Sequence, residues 1–345
     1  MENKSISLEI NEDSSLPKYK QVVKSIVENI ETGAIQYGQK LPSINQLSFD
    51  YYLSRDTVEK AYRDLKKNGV IESVKGKGYY VSNSAPESKL KVLVVFNKLS
   101  AYKKEIYNAL ADSLKDKAQI DFFIYHCDFN LFDRVIDEHR SGYNYYIIMP
   151  HFIDYDKSAF LKTLKKISSN KLIVLDHLVE GLDKFFGAVY QDFKLDIYDA
   201  MEMGLDVLKK YQKLILSFPV NTSYPYPNEI VIGFRRFCAF NNFQFEVIPE
   251  IVADTKIEKN AAYVVIEEND LVNFIRNIRA AGLQLTKDVG VLSYNDTALK
   301  EVLADGISVI TTDFQNMGKL AADMILNQKG ESVKNDFKLI SRKSL

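Results

Sequence analysis

The stretch "SRDTVEKAYR", residues 54–63, gathers groups suited to grip a nucleic acid. Its apolar residues Val58, Ala61 and Tyr62, continued by Leu65, keep the spacing of one buried helix face. The other face carries Arg55, Asp56, Glu59, Lys60 and Arg63. A guanidinium in the first turn of a helix can fork onto O6 and N7 of a guanine in the major groove. Ser54 and Thr57 can hydrogen-bond a phosphate, which the free first amides of the helix also favour. Lys60 lies one turn on. Further along, "KGKG" places Lys75 and Lys77 around Gly76, with Gly78 behind, so a tight tip aims two cations at a DNA backbone or minor groove. Residues 54–80 hold seven Lys or Arg against four Asp or Glu, a net charge of +3, whereas residues 1–53 carry a net charge of −2. Asp56 and Glu59 would also suit a helix N-terminus by its dipole alone.

These groups need elements to hold them. Pro17 suits the first position of a helix running through "KYKQVVKSIVENIE", with Val22, Val23, Ile26, Val27 and Ile30 on one side and Gly33 as its stop. Ser43 is a fitting N-cap for a short helix, "INQLSFDYY", and Ser54 for the next, which Gly69 closes. "VIESVKGKGYYVS" then reads as a hairpin. Helix, short helix, capped helix and hairpin is the order of a winged helix-turn-helix over residues 1–82. Residues 83–89, within the polar run "SNSAPESK", read as a linker. From residue 90 the texture changes. Short apolar runs ("KVLVVF", "IDFFIY", "YYIIMP", "KLIVLD", "KLILSF", "FEVIP", "AYVVIEEND", "VGVLSYND") alternate with amphipathic stretches such as "EIYNALADSL" and "LVNFIRNIRAAG". That alternation predicts parallel sheets in βαβ units, and eight or so strands over residues 90–345 suit two lobes better than one.

Composition narrows the function. The formal net charge is −1, so no global field draws the chain to nucleic acid or membrane, and DNA binding must come from a local patch. Hydrophobic residues make up 46% of a 345-residue chain, which points to folded domains rather than disorder. "MENKSISLEI" lacks a basic segment leading into an apolar core, and no run is long enough for a membrane span, so a cytoplasmic protein is expected. The two cysteines, Cys127 and Cys238, and four scattered histidines form no metal-type spacing. Neither a metal nor another cofactor is expected. No glycine-rich phosphate loop or nucleophile elbow is present, so no catalytic residue is nominated.

Residues 17–81 resemble the winged-helix domain of the GntR family from end to end. The landmarks are "P-x-Y-x-Q" (Pro17 to Gln21), "G-x-x-L-P-S" (Gly38 to Ser43), "S-R-x-T-V" (Ser54 to Val58) and "G-x-G-x-x-V" (Gly76 to Val81). The resemblance implies that Ser43, Ser54, Arg55, Thr57, Lys75 and Gly76 lie at the DNA. Many members have arginine where this chain has Asn45, and often another at Glu59. Asn favours adenine and Glu can accept from cytosine N4, so a different operator sequence is expected.

Residues 90–345 resemble the LacI-type, periplasmic-binding-protein effector domain, giving an arabinose-repressor-like architecture. The resemblance implies a first lobe over about 90–187 with a return segment over about 311–325, and a second lobe over about 188–310. "LIVLDH" would deliver Asp176 to the cleft between them. "VVIEENDLVNFIRNIRAAGLQLTKDVGVLSYND" would place Asn269, Asp270 and Asn295 at strand ends, and "TTDFQNMGKLAADMIL" would offer Phe314 as a stacking ring. Ligands of open parallel sheets bind at the carboxyl ends of strands, where Asp176, Asp270 and Asn295 each follow an apolar run. Tyr224 and Tyr226 in "NTSYPYPNE", and Asn97, Lys98 and Tyr102 after the first strand, fall at such ends too. The family often carries an effector-gripping arginine four residues before the "GF" of a second-lobe helix. Here that position is Glu229, which favours a neutral effector.

The expectation is therefore a multi-domain protein, a winged helix-turn-helix ahead of a two-lobed α/β domain with parallel sheets. It is expected to be no enzyme but a homodimeric repressor of carbohydrate-use genes. It would bind a palindromic double-stranded operator and a monosaccharide between its lobes, with no membrane partner. Two alternatives share parts of this pattern. A winged helix fused to an aminotransferase-type domain would need a longer chain and a pyridoxal lysine motif. A sugar-binding transport protein would share the two lobes without the winged helix.

Overall fold

A computed structural model describes residues 8, 10, 11, 14, 16–31, 33–82, 89–220 and 224–345. They divide into two units, Met1–Lys89 and Leu90–Leu345. In the first, Pro17 precedes helix α1 (Lys18–Glu31), followed by α2 (Ile44–Asp50) and α3 (Arg55–Lys67). Ser43 and Ser54 cap α2 and α3, accepting from the amides of Gln46 and Thr57. One shared core takes Val22 and Ile26 from α1, Leu47 from α2, and Val58, Ala61, Tyr62 and Leu65 from α3. Strands β1 (Ile71–Val74) and β2 (Gly78–Val81) pair antiparallel, with Ile71 opposite Val81, and Lys40 bridges to Tyr80. The tip needs glycine: Gly76 sits at φ +74° and Gly78 at +110°, where a side chain would be strained. Of the expected linker, residues 83–88 lie outside the described residues.

The second unit opens with β3 (Leu90–Phe96), α4 (Ala101–Leu114), β4 (Ala118–Ile124), α5 (Phe129–Glu138), β5 (Tyr145–Ile148), α6 (Lys157–Leu164), β6 (Leu172–Asp176) and β7 (Gly187–Tyr190). The chain then crosses to α7 (Phe193–Met203), α8 (Leu205–Leu208), β8 (Lys213–Ser217), α9 (Glu229–Phe240), β9 (Gln244–Ile248), β10 (Ala261–Val265), α10 (Glu268–Ala280), β11 (Val289–Tyr294), α11 (Ala298–Val302) and β12 (Ser308–Thr312). It returns through α12 (Phe314–Leu326) and β13 (Ser332–Lys334), then recrosses to β14 (Phe337–Ile340). One sheet has the order β4-β3-β5-β6-β7-β13, all parallel; the other runs β9-β8-β10-β11-β12-β14, with only β14 antiparallel. Both place the reversal of strand order beside their first strand, the geometry of a doubly wound ligand-binding sheet.

Both faces of each sheet are covered, so its strands read as continuous apolar runs. Val92, Val94 and Phe96 of β3 point into the core under α4 and α12, and Leu93 and Val95 into the core under α5 and α6. In the second sheet Leu214 and Leu216 face α7 and α9, and Ile215 faces α10. α12 lies so close on α4 that a Cβ at Gly318 would come 2.3 Å from the Ile106 carbonyl oxygen.

Three crossovers join the lobes, at 190–193, 312–314 and 334–337, one more than the sequence suggested. Thr311 and Thr312 belong to β12 rather than to the returning segment, which runs on to β13 before the chain recrosses. β7, β13 and β14 are only three or four residues long, too short to stand out as strands. Asn335 ties the three crossings together. Its backbone amide donates to the Tyr190 carbonyl at 2.7 Å, and its side-chain amide donates to Thr312 Oγ1 at 2.9 Å and to the Asp313 carbonyl at 2.8 Å.

Candidate functional site

The first unit presents one charged end of α3. Arg55 and Asp56 are exposed at its first turn, and among the described residues neither makes a hydrogen bond or ion pair. Ser54 Oγ lies 2.7 Å from Thr57 Oγ1 and accepts the Thr57 amide, so both hydroxyls are held at the helix start. Below them Tyr62, buried on the core side, donates its Oη to the Pro42 carbonyl at 2.8 Å and fixes α3 against the α2 entrance. Ser43 and Asn45 are exposed at the start of α2, and Lys75, Gly76 and Lys77 at the wing tip. Two predicted groups are engaged elsewhere. Lys60 Nζ sits 4.1 Å above the Tyr19 ring of α1, and Glu59 pairs with Arg63 at 3.2 Å along the same helix.

In the second unit a cavity of about 30 Å³ opens at the carboxyl ends of both sheets. The first lobe lines it with Tyr102, Lys103 and Ile106 of α4, Met149 after β5, Asp176 at the end of β6, and Gln191 after β7. The second lobe adds Phe193, Tyr224, Tyr226, Pro227, Ile230, Tyr294 and Asn295, and the returning chain adds Phe314. Asp176 (φ +73°) and Asn295 (φ +60°) both turn through the left-handed region, which Asp and Asn tolerate.

Asp176 is the polar centre. His151 Nε2 lies 2.5 Å from its Oδ2, and Gln191 donates to its Oδ1. Burial outweighs the carboxylate's pull and keeps His151 below the ordinary imidazole range, so at neutral pH a neutral ring donates to Asp176. Burial works to raise the Asp176 carboxyl, but the His151 contact, with Lys103 and Gln191, brings it down to about 2. Gln191 Oε1 and Tyr294 Oη are buried without a hydrogen-bond partner among the described residues. The rings of Tyr102 and Phe314 stack at 4.9 Å and 29° along one wall. Tyr224 fills the opposite side. Its ring lies 5.5 Å from His151 and 4.7 Å from Tyr226 between centroids, with Lys98 Nζ 3.9 Å above it.

The geometry corrects several expected positions. β10 ends at Val265 and α10 begins at Glu268, so Asn269 and Asp270 are helical rather than at a strand end. Asn269 is exposed, and Asp270 accepts from Ser217, bracing β8; neither lines the cavity. The strand-end carboxylate is Glu267, which accepts the Tyr226 hydroxyl at 2.5 Å. Asn97 is wholly buried behind the cleft, where it accepts from Lys103 at 2.5 Å and donates to Cys127 Sγ at 3.3 Å. Lys98 does not line the cavity itself and meets it over the Tyr224 ring. Lys103, His151, Gln191 and Tyr294 were missed. The signal for Lys103 was its place three residues before Ile106 on the buried stripe of α4. Among the described residues no cluster of His, Cys, Asp and Glu could hold a metal ion, and no helix is long and apolar enough to cross a membrane.

Comparisons with known proteins bear on both units. Residues 18–81 match the model of bacterial regulatory proteins of the gntR family, and residues 209–344 match that of a periplasmic binding protein-like domain. The HTH-type transcriptional repressor YtrA of Bacillus subtilis (strain 168) is 31% identical over 106 residues, which span 31% of this chain and 78% of that protein. The arabinose metabolism transcriptional repressor of Geobacillus stearothermophilus is 21% identical over 349 aligned residues, spanning 91% of this chain and 92% of that one. Among solved structures, a lac repressor bound to ONPG in its repressed state shares the fold, with a TM-score of 0.60 at 16% identity over 84% of this chain and 90% of that one. With its landmarks in place around an exposed α3 and a two-lobed domain behind, this chain belongs to the gntR family of bacterial regulatory proteins.

Proposed function

We propose that this protein is a sequence-specific DNA-binding transcriptional repressor of carbohydrate-use genes, whose hold on its operator is set by a small carbohydrate bound between the lobes. The observation that carries the effector half is the pair of unpartnered polar atoms in the cleft. Tyr294 Oη offers a donor and Gln191 Oε1 an acceptor, beside the stacked rings of Tyr102 and Phe314. A sugar presents hydroxyls that give and take hydrogen bonds and a C–H face that packs on aromatic rings, and such convergent polar groups in an apolar cleft define a small-molecule site. The exposed first turn of α3, with Ser43, Asn45, Ser54, Arg55, Asp56 and Thr57 around it and Lys75 to Lys77 on the wing, supports the DNA half. The known functions of the relatives named above, both transcriptional repressors, agree with it.

As it stands the cavity, at about 30 Å³, has room for a water or two and none for a sugar ring. Tyr224 occupies the rest, so binding requires that ring to leave or the lobes to part. Two copies pairing through their second units would present two winged helices to a palindromic operator. Exposed Met203 on α7, and Ile232 and Phe240 on α9, support an apolar pairing face. Fluorescence anisotropy of labelled upstream DNA, titrated with the full chain in the presence and absence of monosaccharides, sugar acids and sugar phosphates, tests the reading. A sugar that shifts the curve at fixed salt supports it; DNA binding that no carbohydrate moves counts against it.

A further inference from the structure

Lys103 is a buried cation that the reading above leaves unused. It stands in the first turn of α4, lines the cleft, and is 1% exposed. Its ammonium donates to Asn97 Oδ1, a neutral acceptor, and among the described residues it has no ion pair. Asp176, the cleft's own carboxylate, is occupied on both oxygens by His151 and Gln191. A buried charge is normally paired, because water no longer solvates it. Here the partner is a ring. Lys103 Nζ lies 5.2 Å from the Tyr224 centroid and Lys98 Nζ lies 3.9 Å from the same centroid. The negative face of an aromatic ring attracts a cation, but it carries no net charge and answers two ammonium groups only weakly. The space Tyr224 fills is where a negative group could pair with both ammonium groups, although Asp176 also faces it.

We propose that the effector is an anionic carbohydrate, a sugar acid or a sugar phosphate, whose charged group displaces the Tyr224 ring and pairs with Lys103 and Lys98. The inference rests on the carbohydrate reading of the cleft and narrows it. It also reverses the expectation of a neutral sugar drawn from Glu229, since the positive charge comes from the first lobe rather than from α9.

The test is calorimetric titration and thermal melting of the full chain with D-glucose, D-gluconate and D-glucose 6-phosphate, and with D-galactose and D-galacturonate. Inorganic phosphate and acetate report on plain anions. The expected result is that one acid or phosphate binds at least ten-fold more tightly than its neutral parent and than the plain anions. The acid and phosphate arms separate the two sources of charge. Lys103→Met should remove that ten-fold preference and leave the melting temperature of the protein alone within a few degrees of the parent, because removing a buried charge offsets the Asn97 Oδ1 that loses its donor. Lys103→Arg, which keeps the charge, should retain a preference for the anion. A neutral sugar binding tightly and indifferently to Lys103→Met would overturn the inference and leave the carbohydrate reading standing. A chain that binds its operator but none of these sugars would sink both. A Lys103→Met protein that melts several degrees lower would show a structural brace on Asn97, and likewise overturn the proposal.

Discussion

Arg55 reaches into water from the first turn of α3 with no ion pair to another described residue, so the fold draws nothing from its charge. Arg55→Ala should therefore leave the melting temperature where it is and lower operator affinity by about 1–3 kcal/mol, read by anisotropy against a scrambled duplex. An unchanged affinity would mean that α3 does not read the groove. Lys103 is the opposite case, a cation whose environment acts on it strongly. Burial pulls its ammonium down to about 8, and Lys98 adds to the fall, while Asp176 and Cys127 oppose it. His151 and Tyr224 face it as well. The folded value lies below the unfolded one of about 10.4. Between the two the unfolded chain holds a proton that the folded chain has lost, so this group's contribution to stability rises with pH across that window. Affinity for an anionic sugar should run the other way and weaken from pH 7 to pH 9, whereas Lys103→Arg should show a smaller change, the remainder coming from Lys98, which burial also lowers. The sequence showed Arg55 because its neighbours form a motif with a fixed order. It hid Lys103 because "YKKEIYNAL" offers two adjacent lysines, and only the phase of α4 against α12 decides that Lys103 turns inward while Lys104 stays in water.

Elements set where those side chains converge. The eight apolar runs named in the sequence all fall on strands; the inner ones are apolar because both faces are covered, whereas edge strand β9 keeps Glu246 exposed. Short β7, β13 and β14 did not announce themselves, and neither did the third crossing, because pairing of three- or four-residue strands depends on which strand lies beside them and not on local composition. Asp270 went wrong for a local reason: "VVIEEND" leaves the strand at Val265, one residue before its apolar run ends, and Glu268 already starts the helix. The crossings between the lobes carry the element-scale prediction. Asn335 is 1% exposed and its side chain joins the end of β12 to the turn between β13 and β14. Lys334 reaches across from β13 to Asp196 of α7, at 2.8 Å, and burial raises that carboxyl to about 6 despite the lysine. Asn335→Ala leaves the Asp313 carbonyl without this donor, which costs about 1–3 kcal/mol per unsatisfied buried group. The expected outcome is a lower melting temperature, together with a smaller effector-induced change in operator affinity. Retention of the full change would place the coupling in the other two crossovers alone.

At the scale of the whole molecule the charge balance decides how DNA is found. The chain is near neutral, and within the winged helix the excess of +3 over residues 54–80 supplies the attraction for phosphate. In the proposed dimer, operator affinity would come from a few contacts made twice, once per winged helix, and it should depend steeply on salt. If a dimer neutralises roughly 6–10 phosphates, affinity should fall about 10³–10⁵-fold between 50 and 200 mM salt. A monomer contacting half as many phosphates would show about half the logarithmic slope, so the slope measured alongside sedimentation reports how many copies bind. The same titration tests the link between the two units. Whatever factor the effector applies to operator affinity, the operator must apply to effector affinity, because both describe one coupling free energy, typically 1–3 kcal/mol. Effector affinity measured calorimetrically with and without a palindromic duplex, its half-sites about one helical turn apart, should therefore change by the factor that anisotropy gives for the duplex with and without effector. Equal effector affinity in the two conditions would mean that the cleft binds its ligand without informing the winged helix.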